Sequence, residues 1–445
     1  MRSYVLLMVF LVSSTFVNGQ GSSTKAITGA TLFDGANQTP LKESVIIIGG
    51  DRIKQVGRAK EIKIPNGAQV IEARGKFVIP GLADMHNHLD SDSIGITQHT
   101  EGFDTSLRRM LGWGFTLIFD PASRDLALFP ELKRKSLTDT AFYPHYYAIG
   151  RTFGAKGGHG PASKYTPETV EEARAAVRDL KATKTDGVKI YYTDLIYVTT
   201  ARRPMLKPEV MAAIIDEAHK QGLKVYVHSP VLKYAKEVLR AGADGLAHGI
   251  LSDLIDDEFV VLMKKNRAVY VSTNAVFESV ADITGWTRRA AASDGRGVIE
   301  KAIYDIGTSP ELKRRWETKW NNIAYMRQRL PLLKANLRRV QAEGIPIVLG
   351  SDSAGAFAGL ASQIELNLLV EAGLTPQQAI QSATINAARM VGREKDLGSI
   401  EPGKFADLLI LNADPLKDIR NIQKIHRIMK SGVVYDPVQL LRKTR

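Results

Sequence analysis

The chain has 445 residues, 44% hydrophobic and 24% charged, enough apolar material for a large core. It holds no cysteine, which excludes a disulfide framework, a thiolate metal site and a Cys nucleophile, so any metal falls to His, Asp, Glu or a modified Lys. The net charge of +13 is densest over 311–341, where nine bases face two acids. That run reads as a solvated helix face. Without a zinc-finger, OB-type or RRM-type signature, no nucleic-acid partner is expected.

The first residues combine a charged start (Arg2), a nine-residue apolar run over 4–12 and small polar residues up to Gly19. These are the parts of a secretory signal, with cleavage expected between Gly19 and Gln20. Nine residues are too few to cross about 30 Å of hydrocarbon as a helix, so no membrane span is expected. The mature protein is expected to be secreted or periplasmic.

Short β-type runs follow over 26–32, 44–48, 52–56 and 69–72, with Gly49-Gly50-Asp51 as a turn. The same texture returns at 408–411 and 428–434. Between them, eight apolar runs alternate with helical stretches: 81–85, 114–119, 146–149, 187–192, 224–227, 245–247, 268–272 and 345–349. The clearest helices by period are 168–180 and 207–221, and a third is expected over 231–241. Eight strands with helical crossovers point to a (β/α)8 TIM-like barrel. The two ends point to a small β-sandwich built from N- and C-terminal segments, 20–79 plus 398–445, flanking a barrel over 80–397. One connection, 274–344, is about seventy residues long, far above the usual few. It carries three tryptophans and most of the basic cluster. Pro331 is expected to break its long helix. Extra material there would lie at the catalytic face.

Five of the nine histidines sit at or beyond the ends of these runs. His86 and His88 stand two apart on an extended chain, so both imidazoles point one way and one metal can take both. His228 and His248 end the fifth and sixth runs, and Asp352 follows the eighth. Lys189 lies inside an apolar strand where a charged amine is out of place. Singly, each is weak. The signal is their joint occurrence, four His, a Lys and an Asp at strand ends of one barrel face, which chance would scatter over both faces and over helices.

These residues, as Pro80-Gly-Leu-Ala-Asp-Met-His-Asn-His88, Val188-Lys-Ile190 and Gly350-Ser-Asp352, with Gly398-Ser-Ile-Glu-Pro-Gly-Lys-Phe-Ala-Asp407 and Asp414-Pro415 near the end, resemble the amidohydrolase superfamily. Within it the chain is most similar to the imidazolonepropionase-like group, which includes Xaa-Pro dipeptidases and N-acyl amino acid hydrolases. The resemblance implies two divalent ions, zinc by preference. His86, His88 and Asp352 would hold one, His228 and His248 the other, and a carboxylated Lys189 would bridge them. It implies attack by hydroxide from a water shared by the ions, with Asp352 moving the proton to the leaving nitrogen.

His159 lies in Gly157-Gly-His-Gly160, which resembles a stretch whose His contacts the carbonyl or tetrahedral oxygen in relatives. Tyr191 and Tyr192 are candidates to line the substrate pocket. Relatives often show a Pro-Thr pair and then a substrate-contacting Tyr after the seventh strand. This chain has Val271-Ser-Thr-Asn-Ala-Val-Phe277 instead, which bears on dipeptide specificity more than on the metals. The expected function is cleavage of an amide C–N bond in a small, anionic substrate, a dipeptide or N-acyl amino acid. A lactonase or phosphotriesterase on the same site, and a non-catalytic small-molecule-binding barrel, stand as alternatives. Assembly into a homo-oligomer stays open.

Overall fold

The computed structural model describes residues 24–36, 39–89, 103–123, 126, 129–353 and 355–441. The expected signal segment, 1–19, lies outside them. No helix among the described residues is long and apolar enough to cross a membrane.

The first strands are β1 (Lys25–Leu32), β2 (Leu41–Gly49), β3 (Arg52–Arg58), β4 (Gln69–Glu72) and β5 (Phe77–Pro80). Eight parallel strands follow: β6 (Leu82–Asp84), β7 (Phe115–Asp120), β8 (His145–Ala148), β9 (Val188–Tyr191), β10 (Val225–His228), β11 (Gly245–Leu246), β12 (Val269–Val271) and β13 (Ile347–Val348). The chain returns through β14 (Leu408–Leu411), β15 (Ile425–Lys430) and β16 (Val433–Tyr435).

The two ends meet where β14 runs antiparallel to β5, Leu408 opposite Pro80 and Leu411 opposite Phe77. Alternation sorts their side chains: Ile46 and Ile48 of β2 join a core with Ile27, Leu408 and Ile410, while Val45 and Ile47 join Ala26 in another. The expected two-sheet sandwich is instead one eight-stranded sheet, ordered β16-β15-β14-β5-β1-β2-β3 with β4 also on β1. The reason is local. β1 pairs with β4 over Lys25–Thr28 and with β5 at Thr31 and Leu32, changing partners past Gly29, whose φ of +79° suits glycine and where the β1–β2 register slips.

The eight parallel strands match the eight expected runs. They form a three-stranded sheet, β6-β7-β8, and a five-stranded one, β13-β12-β11-β10-β9. Among the described residues no continuous ladder joins the two sheets, but backbone bonds cross each seam: Met85 N–H to Leu349 O (2.9 Å), Asp352 N–H to His86 O (2.6 Å) and His88 N–H to Ser353 O (2.9 Å) on one side, Phe153 N–H to Lys189 O and Tyr191 N–H to Phe153 O (2.8 Å each) on the other. Alternation again divides the residues. Leu82, Ile118, Val188 and Ile190 join the main core with the surrounding helices, while Ala83, Leu117, Phe119, Tyr226 and Val348 form a second cluster.

The expected helices occur as Val170–Ala182, Pro208–Lys220 and Leu232–Arg240. The first is capped by Thr169, whose side chain accepts from Glu172 N, and the second has Pro at its first turn. The long connection folds into five helices: Asn274–Ala281, Ile283–Ser293, Lys301–Gly307, Pro310–Lys319 and Ile323–Ala342. Pro331 sits inside the last without breaking it. Burial of Ile323, Met326, Leu333, Leu337 and Val340 along that helix offsets the bond that proline removes. Much of its basic face is anchored: Arg327 Nε donates to Ala281 O (2.6 Å), Arg329 to Ser252 O (3.0 Å) and Arg338 to Ala372 O (3.2 Å).

A buried polar knot joins the terminal sheet to the start of β8. His145 Nε2 lies 2.8 Å from Asp407 Oδ2 and 3.0 Å from Lys430 Nζ. Asp407 Oδ1 also accepts from Ser431 N (2.6 Å) and Lys430 Nζ (3.3 Å). Burial alone would raise the Asp407 carboxyl, but Lys430 and His145 outweigh it and hold it at about 2.

Candidate metal centre and cavity

The candidate ligands gather at the C-terminal ends of the parallel strands. His86 and His88 follow β6, His228 closes β10, His248 lies just past β11, and Asp352 just past β13. On β9 the neighbours Val188 and Ile190 enter the helix-facing core, so the pleat turns Lys189 the other way. The ring centroids of His86 and His88 are 5.1 Å apart, those of His86 and His248 4.7 Å, and those of His228 and His248 4.2 Å. His86 Nε2 and His88 Nε2 lie 3.5 and 3.2 Å from Asp352 Oδ1.

Three of the four imidazoles have one nitrogen hydrogen-bonded by the protein. His86 Nδ1 bonds Ala247 O (2.9 Å), His248 Nδ1 bonds Thr273 Oγ1 (2.9 Å) and His228 Nε2 bonds the Tyr197 hydroxyl (2.7 Å). His88 Nδ1 lies 3.4 Å from Asp120 Oδ1. Such partners orient a ring and select its tautomer, leaving the opposite nitrogen for a metal. Burial, then neighbouring positive groups, push His86, His228 and His248 well below the ordinary imidazole value, toward the neutral form that ligates metals. His88 differs: burial opposes its charge, but Asp120 and Asp352 outweigh it and lift the imidazole to about 9.

Lys189 is fully buried, and its Nζ makes no hydrogen bond among the described residues. Burial lowers its amine to about 7 despite Asp352 and Asp120. An orphaned amine among neutral imidazoles and carboxylates is costly unless it is modified or compensated. The donor set therefore fits a metal centre. Donor atoms of His86, His248 and Asp352 lie within 4.8 Å of one another.

The supporting shell was largely missed from the sequence. Asp84 is buried, and its carboxylate accepts from His86 N (3.1 Å), Ser351 N (3.1 Å), Asn87 Nδ2 (3.0 Å) and the Ser351 and Ser362 hydroxyls (2.6 Å each). It thereby ties the end of β6 to the end of β13 across the seam. Asp120 stands one residue beyond the expected 114–119 run, so the strand-end rule that selected the ligands would have found it. Tyr197 sits in a loop with no such signal. Thr273 has a left-handed φ of +47°, strained for a β-branched residue. Buried Glu365 holds the next turn, accepting from Asn274 N (3.0 Å) and Ala275 N (2.6 Å).

Above the ligands opens a cavity of about 610 Å³, within the usual size for small-molecule sites. His159 and Tyr191 line it. The His159 ring lies 4.5 Å from that of His228 and 4.8 Å from Tyr191. Gly160 permits this: a Cβ there would meet the Tyr191 ring at 2.6 Å. Tyr192 is a correction. On a pleated strand it points opposite to Tyr191, and its hydroxyl donates to Glu237 (2.8 Å) away from the cavity. Of the remaining histidines, His145 belongs to the knot and His219 pairs with Asp244 at 2.8 Å. His99 lies outside the described residues.

Residues 77–435 match the amidohydrolase family. The chain belongs to that family. It is 26% identical to an ochratoxinase of Aspergillus niger, covering 89% of this chain and 83% of that protein. It is 25% identical to an imidazolonepropionase of Shouchella clausii, covering 91% and 88%. The crystal structure of a Xaa-Pro dipeptidase with bound methionine superposes with a TM-score of 0.73 at 24% identity, over 93% of this chain and all of that one. This amidohydrolase therefore has a TIM-like barrel with an extra domain, and it is a hydrolase acting on C–N bonds. The family is typically binuclear and metal-dependent, in line with the His/Asp cluster.

Proposed function

We propose that this amidohydrolase is an exported binuclear enzyme that cleaves the amide bond of a dipeptide or N-acyl amino acid, within a closed eight-stranded barrel. The observation that carries it is the buried, unbonded Lys189 Nζ amid four histidines, three of which have one nitrogen already hydrogen-bonded. His86, His88, His228, His248 and Asp352 would hold the ions, zinc by the character of the His-rich set. Lys189 would serve as a carbamate: its neutral amine adds carbon dioxide, forming an N–C bond and releasing a proton, and gains two anionic oxygens. Two bound divalent ions would supply an acidified water and a Lewis acid for the carbonyl oxygen.

The chain's own groups do the rest. Asp352 accepts the proton of the attacking water and returns it to the leaving nitrogen. His159 donates to the carbonyl oxygen, and Tyr191 walls the same side. Export rests on the charged start and apolar run at the N-terminus.

The deciding experiment is metal analysis with activity. The purified protein is expected to bind about two ions per chain, to lose amide hydrolysis on chelation and to regain it with zinc. Hydrolysis of a lactone with none of any amide, or no bound metal after zinc loading, would overturn the reading. N-terminal sequencing of exported protein should begin at Gln20. A further expected result concerns Tyr197. Tyr197→Phe removes the hydroxyl that orients His228, and metal affinity or activity should fall about 10- to 100-fold with the fold retained. Unchanged metal affinity and turnover would remove Tyr197 from the site.

A further inference from the structure

Resting on the binuclear reading, we propose that Glu365 is a positioning residue for the metal centre: from a distant helix it takes over the capping of the helix Asn274–Ala281, and so frees Thr273 to hold His248. Thr273 is the residue that precedes that helix. A threonine in this place ordinarily has an extended backbone and turns its hydroxyl oxygen back onto the N–H groups of the first turn. Here Thr273 is left-handed, with φ of +47°, and its side chain makes no capping bond. Its Oγ1 lies instead 2.9 Å from His248 Nδ1. With Nδ1 donating to that oxygen, the Nε2 lone pair stays available to an ion.

The first turn of the helix then needs another acceptor. Glu365 supplies it: Oε1 accepts from Asn274 N (3.0 Å) and Asn274 Nδ2 (2.9 Å), and Oε2 from Ala275 N (2.6 Å). The carboxyl is fully buried, and burial lifts it to about 7 against the pull of these donors. Among the described residues it forms no ion pair, so hydrogen bonds alone hold it. Such burial is costly, yet an apolar side chain in its place would strand two backbone N–H groups. The same helix, Leu360–Glu371, supports the other end of the centre. Ser362, three residues earlier and so on the same helix face, donates to Asp84 (2.6 Å), which accepts from His86 N (3.1 Å). One helix face thus reaches the backbone at His86 and, through Thr273, the ring of His248. Those two rings lie 4.7 Å apart.

The test reads zinc affinity of the full chain by competition with a chromophoric chelator. Glu365→Gln keeps the shape but turns one acceptor into a donor facing an N–H. Thr273→Val removes the hydroxyl, and Thr273→Ser keeps it. Affinity is expected to fall about 10- to 100-fold in Glu365→Gln and in Thr273→Val, and to be retained in Thr273→Ser. The double variant Glu365→Gln with Thr273→Val should lose no more than the worse single one, because both changes break one path. A merely structural Glu365 would lower the thermal midpoint alone. Unchanged zinc affinity in Glu365→Gln, or losses that add in the double variant, would therefore overturn the inference. Should Glu365→Gln fail to fold, Glu365→Asp, which holds both oxygens one methylene short, takes its place with the same expectations. If the wild type bound no zinc, the binuclear reading would fall, and metal-free protein carrying 15N-labelled histidine would decide. His248 is expected to be protonated on Nδ1, with its tautomer shifted in both the Glu365 and the Thr273→Val variants. A tautomer untouched by the Glu365 change would overturn the inference.

Discussion

Lys189→Ala is expected to lower metal content from about two ions to one or fewer, with turnover falling roughly 10³-fold, as several kcal/mol of transition-state stabilisation leave with the metal centre. The fold should survive. The wild-type Nζ is buried without a hydrogen bond, so its removal costs packing but also relieves an uncompensated polar group. The thermal midpoint of metal-free protein is therefore expected to change little. The carbamate adds a second signature: metal uptake by the wild type should depend on bicarbonate, and that of the variant should not. Full metal content in Lys189→Ala would show that Nζ plays no part in holding the ions. A collapse of the fold would show instead that the lysine is structural.

The second large effect lies far from the chemistry. Asp407→Ala should destabilise the protein by roughly 3–5 kcal/mol, because it leaves Lys430 as a buried cation without its carboxylate. It also strips the Ser431 N–H of its acceptor. The sign with pH follows from the depressed carboxyl, about 2 in the folded chain against about 3.9 unfolded. Its contribution is present above pH ~4 and is lost as pH falls toward ~2, about 2–3 kcal/mol in all. Chemical denaturation at neutral pH and near pH 3 should show about half of that loss in the wild type and less of it in Asp407→Ala. The double change Asp407→Ala with Lys430→Met should recover part of the stability, since no charge is then left buried alone. A single variant as stable as the wild type would mean that the knot contributes nothing net.

The positions of the strands and of the chemistry-bearing side chains were legible in the residues because both obey short-range rules. A run such as 114–119 or 224–227 announces a buried strand by composition alone. The two-residue period brings His86 and His88 to one side and turns Lys189 away from Val188 and Ile190. The same period could have separated Tyr191 from Tyr192, had it been applied there. The helix runs through Pro331 because the local penalty of the proline is offset by the burial of Leu333 and Leu337, which lies outside any local signal.

What only the tertiary structure decided depends on contacts between segments far apart in the chain. Which nitrogen of His86, His248 and His228 is hydrogen-bonded follows from Ala247, Thr273 and Tyr197, and no periodicity in the sequence pairs these with their histidines. Asp84 meets Ser351 and Ser362 only because the ends of β6 and β13 are neighbours. The terminal β segments join in one sheet because Gly29 lets β1 change partners, a backbone freedom with no hydrophobic signature. Glu365 reaches Asn274 and Ala275 only once the long connection folds back over the strand ends. Local pattern thus specified the elements and the reactive side chains. Hydrogen bonding and packing across the fold specified how those side chains are oriented, and what shape of ligand can reach them.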